Sequence, residues 1–135
     1  MASPSTAARI AAIVAGVTRA KDAVGAYGER VAARLLADAG MDVLDRNWRC
    51  ALGELDLVAR DGDTIVFCEV KTRRGDRYGT PAEAVTARKA RRLRALAAEW
   101  LRAYPDRRAG IRFDVVTVRP RRAGPADVEH LRGAL

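Results

Sequence analysis

Asp56, Glu69 and Lys71 lie on two apolar runs, GELDLV (53–58) and TIVFCEVK (64–71), separated by Asp61-Gly62-Asp63. An Asp-Gly turn between apolar runs signals a β-hairpin. A two-residue loop at Asp61-Gly62 sets Arg60 opposite Asp63, Asp56 opposite Phe67 and Glu54 opposite Glu69. Asp56 and Glu69 are then diagonal neighbours on one face, roughly 7–8 Å apart at the backbone. Lys71 points to the same side, about 6.6 Å further along its strand. Two carboxylates and an ammonium converge on one patch, and charges at the end of an apolar strand need a partner or a metal. Two carboxylates with water can hold a hard cation such as Mg²⁺, while the ammonium orients a water or stabilises a charged phosphate. That is the chemistry of phosphodiester hydrolysis. An ordinary surface ion pair between Glu69 and Lys71 is the competing reading, and the residues alone leave it open. Among 25 basic residues only Lys21, Lys71 and Lys89 are lysine. A compact, pKa-responsive ammonium at position 71 does work that a guanidinium cannot.

The elements that must position these groups follow from periodicity. Residues 19–39 read as a helix ending at Gly40, a C-terminal cap. Its solvent stripe is Arg30, Arg34 and Asp38, whereas Glu29 falls roughly 140° away, beside Gly25, Ala32 and Leu36. Small neighbours let the helix approach the sheet closely enough for Glu29 to reach the carboxylate pair; partial burial with a pairing arginine is the alternative. A first strand is expected at 42–50, then hairpin strands at 52–60 and 64–71. Ile65 and Phe67 point one way and Val66, Cys68 and Val70 the other, so the third strand is central and covered on both faces. The basic loop TRRGDRYG (72–79) hangs beside Lys71. Thr80-Pro81-Ala82-Glu83 has the form of a capping box and starts a helix running to about Tyr104, with Val85, Leu93, Leu96 and Trp100 apolar. Arg73, Arg74 and Arg77 of the loop, and Arg88, Lys89 and Arg92 of the helix, are the candidate phosphate contacts. A last strand, IRFDVVTV (111–118), precedes a tail at 120–135 holding at most one short helix.

The chain of 135 residues suits a single α/β domain. Residues 19–119 are expected to form it, with 1–18 as a mobile or loosely helical extension. Residues 71–112 carry 13 Lys/Arg against four acids, net +9, and the remainder is −1. A basic half on a near-neutral scaffold is the footprint of a protein that meets a polyanion, nucleic acid being the commonest. No run approaches the roughly 20 apolar residues of a membrane span. IAAIVAGV (10–17) follows a single arginine and precedes no small-residue cleavage site, so it does not make a signal peptide. A cytoplasmic protein without membrane association is expected. Cys50 and Cys68 are far apart and form no C-x-x-C, in keeping with a reducing compartment. The only histidine, His130, lies in the tail, which argues against histidine-centred nucleophilic catalysis. Neither G-x-x-x-x-G-K-[ST] nor G-x-G-x-x-G occurs, so nucleotide-cofactor binding has no support.

G-x-x-G-E (Gly25, Gly28, Glu29), R-N-W-R (46–49), G-E-L-D (53–56), E-V-K-T-R (69–73), P-x-E-A-V (81–85) and R-F-D-V-V (112–116) follow one another in order. Over about residues 25–118 this chain resembles the YraN-type bacterial protein family. That family is similar to the PD-(D/E)XK nuclease superfamily, whose restriction-endonuclease-like core also includes archaeal Holliday junction resolvases. The resemblance implies an α/β fold with a mixed central sheet flanked by helices. It implies that Asp56 is the motif aspartate, Glu69 and Lys71 the E-x-K, and Glu29 the helical acid, with Leu55 standing where proline is frequent. On that basis Asp56 and Glu69, with the Val70 carbonyl and Glu29, would ligate Mg²⁺ or Mn²⁺. Lys71 would act on the attacking water and the transition-state charge. The implied activity is a metal-dependent endonuclease on structured or branched DNA. The alternative is a non-catalytic nucleic-acid-binding or assembly protein that keeps the fold. Members of the superfamily are often dimeric, so a homodimer is a further implication, although no interface signature appears in the sequence.

Overall fold

In the computed structural model the residues described are 19–73, 86–104 and 110–134. Helix α1 (Arg19–Asp38) leads into β1 (Asp42–Cys50), β2 (Gly53–Asp61) and β3 (Thr64–Thr72). Helix α2 (Ala87–Arg102), β4 (Gly110–Arg119) and β5 (Asp127–Leu131) follow. The five strands form one sheet in chain order, antiparallel except for the parallel β3–β4 pair. It is a mixed sheet with one helix on each face, as the sequence implied.

Helix α1 stops where expected and for a physical reason. Gly40 takes φ +91, Met41 N–H returns to the Leu36 carbonyl, and Gly40 N–H to that of Ala37. This is a Schellman cap, and its apolar contact is Met41 with Leu36, both buried. The α1 side of the sheet buries Ala32, Ala33 and Leu36 against Leu57, Ala59, Val66, Cys68, Val116 and Val118. The other side buries Leu93, Leu96, Ala97 and Trp100 of α2 against Leu55, Val58, Ile65 and Phe67. β3 therefore contributes side chains to both cores, as its two-faced apolar pattern required.

Three expectations are corrected. The hairpin loop is Gly62-Asp63: Asp61 pairs with Thr64 and Arg60 with Ile65. Gly62 has φ +58, which suits the first central position of a type II′ turn, so glycine leads the loop instead of closing it. The slip is two residues. Every side chain keeps its face, and one step past the Leu57–Cys68 pair Asp56 comes level with Glu69. Second, α2 begins at Ala87, because Thr86 is extended and its hydroxyl caps the helix by accepting from the Lys89 N–H at 3.2 Å. A continuous helix from residue 80 is excluded at Thr86; residues 80–85, including Val85, lie outside the described residues. Third, residues 127–131 of the supposed tail form the edge strand β5, with Val128 packed on the α1-side core. The N-terminal segment 1–18 also lies outside the described residues.

Gly28 fixes how closely α1 meets the sheet. A Cβ there would overlap Thr72 Oγ1 and come within 3.0 Å of Thr72 Cβ and 3.2 Å of Cγ2, so rotating the threonine gives no relief. Gly28→Ala is expected to destabilise the protein by about 1–3 kcal/mol through overpacking, and urea unfolding measures it. A loss below about 0.5 kcal/mol would mean that α1 can shift freely on β3.

Candidate active site

β2 and β3 run as a regular ladder from the turn to Leu57–Cys68 and then change character. Leu57 and Ala59 face α1 while Val58 faces α2, yet Leu55 also joins the α2-side core, so strand alternation slips at Asp56. Here Asp56 Oδ2 accepts the Val70 N–H at 2.8 Å, a side chain taking the place of a strand carbonyl. Val70 thus enters the site through its N–H.

Glu69 and Lys71, two residues apart on β3, point to the α2 side, and Lys71 Nζ lies 2.9 Å from Glu69 Oε1. A cleft there is lined from the sheet by Glu54, Asp56, Glu69 and Lys71, and from α2 by Lys89, Arg92, Leu93 and Leu96. Acids occupy the sheet wall, cations the helix wall, and Lys71 stands between them. Arg92 lies across Gly53, where a Cβ would come within 2.7 Å of its guanidinium.

Burial, then the Glu69 charge, push the Asp56 carboxyl up from 3.8 to about 7, with Glu29 and Glu54 adding to the effect and the Val70 N–H opposing it. Burial also raises the Glu29 carboxyl, against a hydrogen bond from Asn47; Glu54 and Glu69 push it further up, and Arg49 opposes them. Glu29 therefore belongs to the electrostatic neighbourhood of the site although it rides on the opposite helix. Burial alone would lower the Lys71 ammonium, but its pairing with Glu69 and the nearby Asp56 charge hold it above the ordinary range. Lys89 is held below its ordinary range by the neighbouring Lys71, then by burial.

The sequence-derived acids and Lys71 are thus brought together, but unequally. Among the described residues no group of three or more Asp, Glu, His or Cys side chains gathers closely enough to hold a metal ion. Of the basic candidates, Lys89 and Arg92 line the cleft, whereas Arg88 is exposed and outside it. Arg73 follows β3, its N–H on the Val118 carbonyl at 2.9 Å, and its charge reaches Lys89. Arg74 and Arg77 lie outside the described residues. Sequence reasoning missed Asn47, whose φ of +51 in mid-strand is the one non-glycine left-handed conformation among the described residues. Its signal was present in R-N-W-R, where Trp48 packs toward the α2-side core and Arg49 pairs with Glu54 at 3.5 Å.

A mixed sheet with an acid on the second strand, E-x-K at the end of the central strand and a helix on each face defines a restriction-endonuclease-like α/β core. The model of the Uncharacterised protein family UPF0102 matches residues 28–118, and the chain belongs to that family. It is 60% identical over 116 residues to a UPF0102 protein of Frankia casuarinae, covering 86% of this chain and 98% of the relative. It is 61% identical over 115 residues to one of Beutenbergia cavernae, covering 85% and 98%. A UPF0102 protein of Acidothermus cellulolyticus is 48% identical over 131 residues, covering 90% and 99%. The family and fold are consistent with those of nuclease-like proteins. Among the described residues no helix is long and apolar enough to cross a membrane.

Proposed function

We propose that the protein is a metal-dependent endonuclease hydrolysing phosphodiester bonds in structured or branched DNA. The observation that carries this reading is the cleft in which Asp56 and Glu69 of adjacent strands stand beside Lys71, with burial and then the Glu69 charge pushing the Asp56 carboxyl up to about 7. Two carboxylates under mutual electrostatic pressure in a half-buried cleft suit a hard cation. Asp56 and Glu69 would suit Mg²⁺ or Mn²⁺, since Mg²⁺ keeps several waters and commonly takes only one or two protein carboxylates. Asp56 and Glu69 would hold the ion, with Glu29 and the Val70 carbonyl as further donors. When bound, the ion would supply positive charge that polarises the scissile phosphate.

Lys71, held charged by Glu69, would orient the attacking water and stabilise the negative charge that grows on the phosphoryl oxygens. Lys89 and Arg92 would hold the phosphate from the helix wall, and Arg73, Arg74, Arg77 and Arg88 would follow the backbone on either side. Water adds to phosphorus and gives up a proton to the solvent, the bond to the leaving sugar oxygen breaks, and that oxygen takes up a proton to leave as a hydroxyl. The net charge of +9 over residues 71–112 supports a nucleic-acid substrate, and the resemblance to junction resolvases supports DNA.

Labelled four-way-junction, flap, duplex and single-stranded DNA, incubated with Mg²⁺, Mn²⁺ or EDTA, test the reading. The parent is expected to cut in either metal and not in EDTA. Lys71→Ala should bind DNA as the parent does while turning over at least about 100-fold more slowly. Binding without cutting, unchanged in Asp56→Ala and Lys71→Ala, would replace the nuclease by a non-catalytic nucleic-acid-binding protein.

A further inference from the structure

We infer that Asn47 is a positioning residue that holds the Glu29 carboxylate at the edge of the metal-binding cleft. The inference rests on the nuclease reading and adds a residue to it. Asn47 falls between the Arg46–Leu57 and Trp48–Leu55 pairs, level with Asp56, which is itself level with Glu69. Three adjacent strands thus present Asn47, Asp56 and Glu69 in one row across the sheet. At this row the β2–β3 ladder ends, the alternation of β2 slips, and β1 takes its one left-handed residue. A left-handed residue inside a strand breaks regular pairing, and asparagine is among the few side chains that accept it without large strain.

The conformation has a use. The Asn47 amide donates a hydrogen bond to Glu29, which α1 brings from the opposite side of the sheet. Glu29 is held twice: its backbone by the close approach of Gly28 to Thr72, its carboxylate by Asn47. Without the amide, Glu29 faces Glu54 and Glu69 with only Arg49 to draw it in, and repulsion turns it outward. Outer partners that orient a metal-site carboxylate typically contribute 10–100-fold to metal affinity or activity.

Asn47→Gly separates backbone from side chain, because glycine keeps φ +51 at no steric penalty while the amide is lost. Asn47→Asp keeps shape and left-handed tolerance but replaces the donor with a like charge. Mg²⁺ affinity by calorimetry without DNA, and kcat and KM on the cleaved DNA, are measured for both, for Glu29→Gln, and for Asn47→Gly combined with Glu29→Gln. Both Asn47 variants should melt within a few degrees of the parent, bind Mg²⁺ about tenfold more weakly or worse, and lose kcat by a similar factor at unchanged KM. The combined variant should be no worse than Glu29→Gln alone. Parent-like Mg²⁺ affinity and kcat in Asn47→Gly, or strictly additive losses in the combined variant, would overturn the assignment while leaving the nuclease reading intact. A parent that neither binds Mg²⁺ nor cuts overturns both.

Discussion

Asp56→Asn is expected to abolish cutting and at the same time to stabilise the metal-free protein at pH 8. The Asp56 carboxyl is raised in the folded state from 3.8 to about 7. A group whose folded pKa lies above its unfolded value contributes stability that is complete below the unfolded pKa and is lost as pH rises through the folded one. The parent should therefore lose on the order of 3–4 kcal/mol from this group between about pH 4 and pH 8. Asparagine does not ionise, and its Oδ1 still accepts the Val70 N–H, so the variant avoids that loss. Melting curves of both proteins in EDTA from pH 5 to pH 8 should diverge, the variant becoming the more stable. Millimolar Mg²⁺ should raise the melting temperature of the parent at pH 8 and leave that of Asp56→Asn unchanged. Parallel curves with the variant less stable throughout would show that Asp56 is under no electrostatic pressure, and that support of the nuclease reading would go.

The second large effect is structural and runs the other way with pH. Asp114 is wholly buried on β4. Its Oδ1 accepts from Arg112 Nε and the Gly133 N–H, both at 2.9 Å. Its Oδ2 accepts from Arg112 Nη2 at 3.0 Å and His130 Nε2 at 2.7 Å. Arg112 also reaches Asp61 at 3.0 Å, so one cluster joins the hairpin turn, β4 and the turn after β5. Burial would raise the Asp114 carboxyl, but Arg112, Gly133 and His130 together hold it below 3.8. Asp114→Ala leaves Arg112 without one acceptor and His130 and Gly133 without theirs, and should cost about 3–5 kcal/mol. A depressed folded pKa gives stability that is present above the unfolded value and lost as pH falls through the folded one. Urea unfolding should therefore show the full gap between parent and variant at pH 7 and a smaller one near pH 2. A gap below 1 kcal/mol at pH 7, or one that persists undiminished at pH 2, would mean the cluster does not anchor β5.

His130 illustrates the boundary of legibility. Its isolation in the sequence argued against histidine-centred chemistry, but nothing within several residues of it indicates that it docks on Asp114, 16 positions away. The same holds for β5: Asp-Val-Glu-His-Leu is too short for periodicity to separate strand from tail, and the strand forms because Val128 and His130 find partners on β4 and the α1-side core. Arg112 and Asp61, 51 residues apart, are likewise joined only by the fold.

The convergence of Asp56, Glu69 and Lys71 was legible from the chain alone, because a strand's period of two assigns each residue a face regardless of register. A two-residue slip in the hairpin left all three on the same side. The two-faced core of β3 and the cap at Gly40 were legible for the same local reason. Tertiary structure alone decided that Asp56 stands level with Glu69 instead of diagonal to it, since a glycine's φ and the competition between two turn placements set the loop. It alone decided that Lys89 meets Lys71, that Asn47 turns left-handed to reach Glu29, and that Asp114 gathers four donors. Periodicity is a property of neighbouring residues. These contacts join segments distant in sequence, and their energies exist only once the sheet has brought them together.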